Sequence, residues 1–302
     1  MSIRKLTKIE LNDVIKGGVF GVANAPADQP EVIHNITSTN NSFQLTYAKA
    51  ANCDVALVGG GGAGRGGIGE AGGGAQVTFT PGHPLPGAAF PITIAAGGSG
   101  VRGNNHGNDG GVTTLGASSP LSASFGAGGS RDAPTGSGGG DGTGGPAGNN
   151  GGSPGAYRGG GGGAGSAGSG PPNGAGGNGT PIPSSFGAAD SGIFTDTAKL
   201  GLIFCGGGVG GGQYGSNNSV GFSPPGGGGH GSPNEGGGEG GNGAAQYGAG
   251  GGGDGSFSPG GSGGNGGSGR VLIKEPSGNS FCPGVWRLDG QLHHLGADDW
   301  QT

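Results

Sequence analysis

The stretch Asp54-Val-Ala-Leu-Val-Gly-Gly-Gly-Gly-Ala-Gly decides the fold, because an apolar strand candidate runs directly into glycine. Glycine supplies 89 of the 302 residues, most of them between residues 58 and 269. Glycine brings no apolar side chain and loses the most backbone freedom on ordering. This part of the chain is therefore either disordered or held together by hydrogen bonds between closely approaching backbones.

The overall composition excludes several classes of protein. Hydrophobic residues make up 29% and charged residues 10% of the chain, against about 45–50% and 25% in globular domains. The 13 Lys and Arg residues are scattered, so no basic patch indicates a nucleic-acid partner. No stretch approaches the roughly 20 apolar residues of a membrane span, so no membrane insertion is expected. The first residues lack the apolar segment of a signal peptide, and three distant cysteines favour a reducing compartment.

Composition also predicts three regions. Residues 1–57 have a near-normal composition and are expected to form a small β region that serves for attachment. Residues 58–275 are expected to form a glycine-rich domain, and residues 276–302 a C-terminal clasp. In the clasp, Val285, Leu288, Leu292 and Leu295 keep a helical spacing, which predicts a short helix.

Apolar stretches predict the strands. They lie at residues 31–37, 42–47, 53–58, 75–80, 90–95 and 269–274. The turn Pro81-Gly-His-Pro-Leu-Pro-Gly predicts that the two strands around it form a hairpin. Later islands that carry aromatic residues are short and flanked by Asn, Ser and Pro, so they are expected to be loops between glycine segments.

The glycine region has three readings. Collagen needs glycine at every third residue, and runs such as residues 159–163 and 226–229 break that phase. A disordered linker stays open as an alternative. The preferred prediction is a bundle of polyglycine II helices, which are extended and left-handed with three residues per turn. Because a hydrogen bond returns a net of about 0.5–1.5 kcal/mol and backbone ordering costs about 1–2 kcal/mol per residue, each helix needs several neighbours.

Motifs for chemistry are weak in this chain. Residues 54–64 look like a dinucleotide-binding turn, but the glycine-rich residues that follow cannot form the required helix. His106 with Asp109, His230 with Glu235 and Glu239, and His293-His294 with Asp298-Asp299 lack the spacing of a zinc site. No Gly-x-Ser-x-Gly motif lies between a clear strand and helix. We expect no enzyme activity, no catalytic residues, no cofactor and no metal.

Aromatic residues on the later islands are the contact candidates. In one interpretation, these side chains are buried under the bundle and serve as its apolar anchors. In the other, they are exposed beside Asn and Ser residues, and such a surface suits the binding of sugar rings or protein loops. The candidates are Tyr157, Arg158, Phe186, Tyr214, Phe222, Tyr247 and Phe257.

The chain resembles glycine-rich tail proteins of tailed bacteriophages. The resemblance rests on Val55-Ala-Leu-Val-Gly-Gly-Gly-Gly-Ala-Gly, on the region from Gln76-Val-Thr-Phe-Thr-Pro-Gly to Asn108-Asp-Gly-Gly-Val-Thr-Thr-Leu-Gly, and on Gly266-Gly-Ser-Gly-Arg-Val-Leu-Ile-Lys. The ending Gly284-Val-Trp-Arg-Leu-Asp-Gly-Gln-Leu also resembles the Trp-containing ends of such proteins. In similar long-tail-fibre adhesins of T-even-like phages, polyglycine II helices form a layered sandwich whose distal loops touch the receptor.

The resemblance implies a fold that is mainly β, with an N-terminal small β region, a central glycine-rich sandwich built from a polyglycine II helix bundle, and a short C-terminal helix. It implies a virion tail fibre or tail-tip protein that is assembled in the host cytoplasm and binds other phage tail proteins and a bacterial surface receptor, either a sugar or an outer-membrane protein. By analogy with fibres, it implies a homotrimer. The alternative is a purely structural tail or head decoration protein without host contact.

Overall fold

The computed structural model describes eleven stretches of the chain. They are residues 32–46, 49–67, 69–103, 105–130, 149–152, 159–170, 174–186, 202–211, 224–232, 238–255 and 261–276. The chain divides into two compact units, of which the larger spans Ile33–Lys274. In the smaller unit, the Glu275 N–H donates to the Val32 carbonyl at 2.9 Å.

The secondary structure of the described residues is almost entirely β. The strands are β1 (Ile33–Ile36), β2 (Asn40–Phe43), β3 (Ala51–Val58), β4 (Val77–Leu85), β5 (Phe90–Thr93), β6 (Thr113–Leu115), β7 (Leu121–Ala123), β8 (Thr180–Pro181), β9 (Ile203–Phe204) and β10 (Arg270–Lys274). The helical turn found among these residues is a 3-10 turn at Ser184–Phe186. The prediction of a mainly β protein is confirmed.

The strands form three antiparallel sheets. The first has the order β1-β10-β3-β4 and the second the order β2-β5-β6-β7. The third sheet contains β8 and β9. In the first sheet, Val55 pairs with Ile273 on one side and with Thr80 on the other, so β3 is a central strand.

Successive residues of a strand point to opposite faces, and β3 is buried on both faces. Val55 and Leu57 belong to a core between the first and second sheets, whereas Ala56 and Val58 belong to a second core on the other face. This is why residues 55–58 read as a continuous apolar run rather than an alternating one. The second core, which we call the anchor core, contains Ala56, Val58, Ala75, Ala164, Ile182, Phe186, Phe204, Cys205, Tyr247, Ala249 and Leu272.

Beyond the sheets, glycine-rich segments bond to one another through their backbones. We call this assembly the glycine lattice. Its segments are residues 59–65, 70–76, 95–101, 107–111, 124–129, 159–165, 174–179, 205–211, 224–231, 240–244, 248–254 and 261–269. Several segments continue a strand without a break: β3 leads into segment 59–65, and segment 70–76 leads into β4.

The backbone hydrogen bonds of segment 59–65 repeat every third residue. The N–H groups of residues 59, 62 and 65 donate to segment 70–76, those of residues 60 and 63 to segment 107–111, and those of residues 61 and 64 to segment 261–269. The N···O distances are 2.8–3.1 Å. In each pairing the acceptor number falls as the donor number rises, so these three neighbours run antiparallel.

The carbonyl groups of segment 59–65 accept from other neighbours. Gly126 and Gly129 donate to residues 60 and 63, and Gly251 and Asp254 donate to residues 62 and 65. These two neighbours run parallel to the segment. Gly98 donates to residue 61, so segment 59–65 donates to three segments and accepts from three others.

The close approach of the segments requires glycine. A Cβ atom built on Gly61 would overlap the backbone carbonyl oxygen of Ala249, and one on Gly72 would overlap that of Gly62. Both distances fall below the 3.0 Å that real Cβ atoms essentially never show. Glycine is therefore the residue that lets the backbones bond directly.

The lattice has two ends. At the sheet end, Val58 pairs with Val77 as the segments pass into the first sheet. At the opposite end, which we call the far end, Arg65 N–H donates to Glu70 C=O where the chain turns back. Gly211 and Asp254 reach the same end, because their N–H groups donate to residues 69 and 65.

Most strand predictions are confirmed, but the predicted hairpin is wrong. β4 continues through Pro81 to Leu85 and pairs with β3, whereas β5 pairs with β2 and β6 in the other sheet. The Pro- and Gly-rich residues thus extend an edge strand, where prolines are tolerated. The island at residues 202–205, expected to be a loop, contains β9. The predicted C-terminal clasp of residues 276–302 lies outside the described residues apart from Pro276, and its predicted helix around residues 285–295 lies wholly outside them.

The predicted boundary after residue 57 falls inside β3 (Ala51–Val58). The strands before it and the glycine lattice after it belong to the same compact unit. The change in composition at this point marks the passage from strand to glycine segment, because side chains are needed in the cores and excluded from the lattice.

Arg270 joins the lattice to the sheets. Its side chain is buried and lies over the rings of Tyr247 and Phe204 at 4.8 and 5.4 Å. It donates from Nε to the Gln246 carbonyl at 2.6 Å and from Nη2 to Gln246 Oε1 at 3.1 Å. We expect Arg270→Lys to lower the free energy of unfolding by about 1–3 kcal/mol, because an ammonium cannot reproduce the planar stacking and the forked hydrogen bonds. Chemical denaturation measures this loss.

The matched control for Arg270→Lys is Arg102→Lys. Arg102 is exposed, with 74% of its side chain accessible, so the same chemical change should alter stability by less than about 0.5 kcal/mol. Equal losses for the two variants would contradict the role given to Arg270.

Candidate functional site

Of the predicted contact residues, the structure describes Phe186 and Tyr247. Both side chains are fully buried in the anchor core. Phe186 lies edge-to-face against Phe79 with centroids 6.0 Å apart, and Tyr247 stacks on Phe204 at 4.9 Å. These two residues therefore take the anchoring role rather than an exposed one. Tyr157, Arg158, Tyr214, Phe222 and Phe257 lie outside the described residues.

Tyr247 is held in a turn at the sheet end of the lattice. Gln246, which precedes it, has a φ of 67°, a left-handed conformation that is uncommon for residues other than glycine. Next to Tyr247, burial raises the pKa of the Cys205 thiol well above its usual value, so this thiol stays protonated and packs as a small apolar group. Tyr247 is thus closed off from solvent between Phe204, the neutral Cys205 thiol and the Arg270 guanidinium.

The far end of the lattice is built around a buried ion pair. Arg65 Nη1 and Glu70 Oε2 are 3.0 Å apart, and both side chains are 3% exposed. Asp254 is also buried, and its Oδ2 accepts from the Gly67 N–H at 3.1 Å. These charged side chains bond to each other and to a backbone N–H group where the chain turns, and these bonds fix the geometry of the far end.

Exposed polar side chains surround this end, and we call them the polar rim. The polar rim consists of Arg102, Asn105, His106 and Glu239. Arg102 pairs with Ser262 in an isolated antiparallel β-bridge. This bridge follows directly after the backbone hydrogen bond between Val101 and Gly263, which joins segments 95–101 and 261–269. Its guanidinium is 3.8 Å from the Glu239 carboxylate, and 74% and 67% of these side chains are exposed. Asn105 Nδ2 donates to the Arg102 carbonyl at 3.2 Å.

The polar rim offers hydrogen-bond donors, acceptors and both signs of charge on a backbone that is bonded from several sides. Because this backbone is already fixed, contact with a polar ligand at this surface would require ordering of the exposed side chains alone. Among the described residues, no group of three or more His, Cys, Asp or Glu side chains is placed to hold a metal ion.

Sequence reasoning missed the polar rim. It considered His106 together with Asp109, but Asp109 Oδ1 accepts from the Gly128 N–H at 2.8 Å and so serves the lattice. Arg102 and Glu239 are far apart in sequence and meet because segments 95–101, 261–269 and 240–244 are neighbours. The Arg102–Glu239 contact could be predicted only if the adjacent glycine segments were known, and the sequence does not show which segments are adjacent.

Comparison with known proteins gives one family. A family model described as a glycine-rich domain matches residues 37–275. No curated protein matches the chain. No helix in the described part of the chain has the length and apolar character needed to cross a lipid bilayer.

Proposed function

This chain belongs to the glycine-rich domain family over residues 37–275, and from the resemblance of its motifs to glycine-rich phage tail proteins we propose that its domain is a rigid platform of a bacteriophage tail fibre or tail-tip protein. In this proposal, the far end of the glycine lattice faces the bacterial surface and the polar rim contributes to receptor binding. The observation that carries the proposal is the three-residue hydrogen-bond repeat of the glycine segments. Because each segment bonds to several neighbours, the turns at the far end start from a fixed backbone.

We also propose that the lattice segments are polyglycine II helices and that the lattice with its sheets forms the layered sandwich. A helix with three residues per turn presents successive N–H groups at about 120° intervals, so every third residue meets the same neighbour. Segment 205–211 supports this: residues 206 and 209 bond to segment 224–231, residues 207 and 210 to segment 174–179, and residues 208 and 211 to residues 72 and 69.

The receptor in this proposal is a sugar or an outer-membrane protein of the bacterium. The mixed donors, acceptors and charges of the polar rim suit either surface. The protein would bind other tail proteins, assemble in the host cytoplasm and reside in the virion tail, as a homotrimer by analogy with fibres. Tyr157, Arg158, Tyr214, Phe222 and Phe257 stay as contact candidates within this proposal.

A second candidate is a purely structural virion protein without host contact. The burial of Phe186 and Tyr247 favours it, because both described members of the predicted contact set are used for packing. The two functions share one fold and differ in whether the protein meets a receptor, either through the polar rim or through the contact candidates outside the described residues.

The test is the double variant Arg102→Ala/Glu239→Ala in the phage that carries this protein. We expect adsorption to host cells to slow by about tenfold or more, the size of effect expected when a contact residue is truncated. Electron microscopy with a labelled antibody against the protein checks that it sits at the tail tip.

The control is Lys49→Ala, which removes an exposed charge just before β3, at the end of that strand opposite the lattice. It should leave adsorption unchanged. Normal adsorption of the double variant, with the antibody label on the virion, would favour the structural alternative. Particles that lack the label altogether would refute both functions.

A further inference from the structure

Two exposed asparagines bond to backbone N–H groups on one outer surface of the lattice. Asn265 Oδ1 accepts from the Gly100 N–H at 2.7 Å, and Asn242 Oδ1 accepts from the Asn265 N–H at 2.9 Å. We call the surface formed by segments 95–101, 261–269 and 240–244 the outer face. On this face, side-chain oxygens accept hydrogen bonds from the backbone N–H groups of Gly100 and Asn265. Inside the lattice, such N–H groups donate to the carbonyl groups of a neighbouring segment instead.

The same arrangement recurs elsewhere on the lattice. The Asp109 carboxylate accepts from Gly128 at 2.8 Å, and the Ser166 hydroxyl accepts from the Asn178 N–H at 2.9 Å. Side-chain oxygens among the glycines therefore accept backbone hydrogen bonds at several places on the lattice.

A donor row left open would be able to bind another glycine segment. Neighbours in the lattice run both parallel and antiparallel at the same three-residue repeat, so an incoming segment can bind in either direction. The situation is that of an exposed edge strand, whose free N–H and C=O groups recruit a further strand unless something blocks them. The glycine segments with the right repeat belong to this chain, so the natural occupant is a second copy.

We propose that Asn242 and Asn265 terminate the lattice at the outer face, and that removing their amides makes this face associate with a second copy of the chain. Glycine at both positions keeps the backbone able to take its present path, yet leaves the Gly100 and Asn265 N–H groups without their acceptors. The proposal concerns the outer face alone and does not depend on receptor binding by the polar rim.

The experiment compares the full chain with its Asn242→Gly/Asn265→Gly variant by sedimentation velocity over a range of concentrations. We expect the weight-average mass of the variant to rise with concentration to about twice that of the wild type or more, as a shared interface between copies requires. Amide hydrogen exchange of segment 261–269 checks that the lattice is still formed.

Asn108→Gly is the matched control. Asn108 is exposed, and it contributes its backbone carbonyl to the Ala63 N–H, a bond that glycine keeps. This control should sediment as the wild type. If the double variant loses its lattice, Asn242→Gly alone is used, because it keeps the Gly100 N–H bonded, and a rise in its mass with concentration is expected. A folded variant with the mass of the wild type, or equal association of Asn108→Gly, overturns the proposal.

Discussion

Gly72→Ala is expected to lower the free energy of unfolding by about 3–5 kcal/mol. The new methyl group would overlap the carbonyl oxygen of Gly62, which already accepts from the Gly251 N–H at 2.9 Å. Backbone atoms on both sides are fixed by their own hydrogen bonds, so the segments must separate. Overpacking costs about 1–3 kcal/mol, and each hydrogen bond lost adds about 0.5–1.5 kcal/mol. Urea denaturation followed by circular dichroism measures the sum.

Gly111→Ala is the matched control for Gly72→Ala. Gly111 is also bonded within the lattice, since its N–H donates to Ala96 at 2.9 Å and its carbonyl accepts from Gly60 at 3.0 Å. A Cβ atom at this position would meet its nearest neighbours at 3.5 Å, which is ordinary contact. The substitution should be neutral or stabilise by about 0.4–1 kcal/mol, because alanine restricts the unfolded chain. Similar losses at both positions would show that the lattice does not depend on close approach.

The contrast between these two glycines shows what the sequence alone could predict. Backbone ordering costs and net hydrogen-bond energies indicated that glycine segments hold only with several neighbours each, and segment 59–65 meets this condition. The sequence could not indicate which segments are adjacent, because backbone hydrogen bonds between glycines carry no side-chain identity. Gly72 and Gly111 look alike in the sequence and differ only through those neighbours.

The strands were easier to predict than the site. β3 and β10 carry apolar residues that only a buried strand can use, so their positions followed from pattern alone. Aromatic residues on short islands fit two environments, an anchor core or an exposed surface, and nothing in their spacing separates the two. Tyr247 is buried because the adjacent turn places it under Arg270 and beside Phe204, and those contacts depend on the lattice.

Asn and Ser residues among the glycines are, from the sequence alone, a sign of loops. In the structure, Asn265 and Ser166 lie on lattice segments or at their turns and accept backbone hydrogen bonds. Their positions follow the geometry of the lattice margin, since a side-chain acceptor is useful only where a backbone acceptor does not reach. In this chain, Asn265 and Ser166 therefore mark the margin of the lattice.

Glu70→Gln is expected to destabilise the domain by about 3 kcal/mol, because it removes the carboxylate charge that lies 3.0 Å from the buried Arg65 guanidinium. The change keeps the size of the side chain and its hydrogen-bonding oxygen, so the loss reports on charge rather than on packing. We expect it to act first at the far end, where the Arg65 N–H donates to the Glu70 carbonyl and the Arg65 carbonyl accepts from the Asp254 N–H. Amide exchange at Gly67 and Asp254 should accelerate before exchange in β3 does.

Glu239→Gln makes the same chemical change in an exposed ion pair. Glu239 lies 3.8 Å from Arg102 with both side chains mostly accessible, and exposed pairs contribute less than about 1 kcal/mol. The two variants therefore compare the charge of a buried ion pair at the far-end turn with the charge of an exposed ion pair. If Glu70→Gln were as mild as Glu239→Gln, the buried pair would not be what fixes the far-end turn, and the rigidity that the polar rim needs would have to come from the glycine backbone alone.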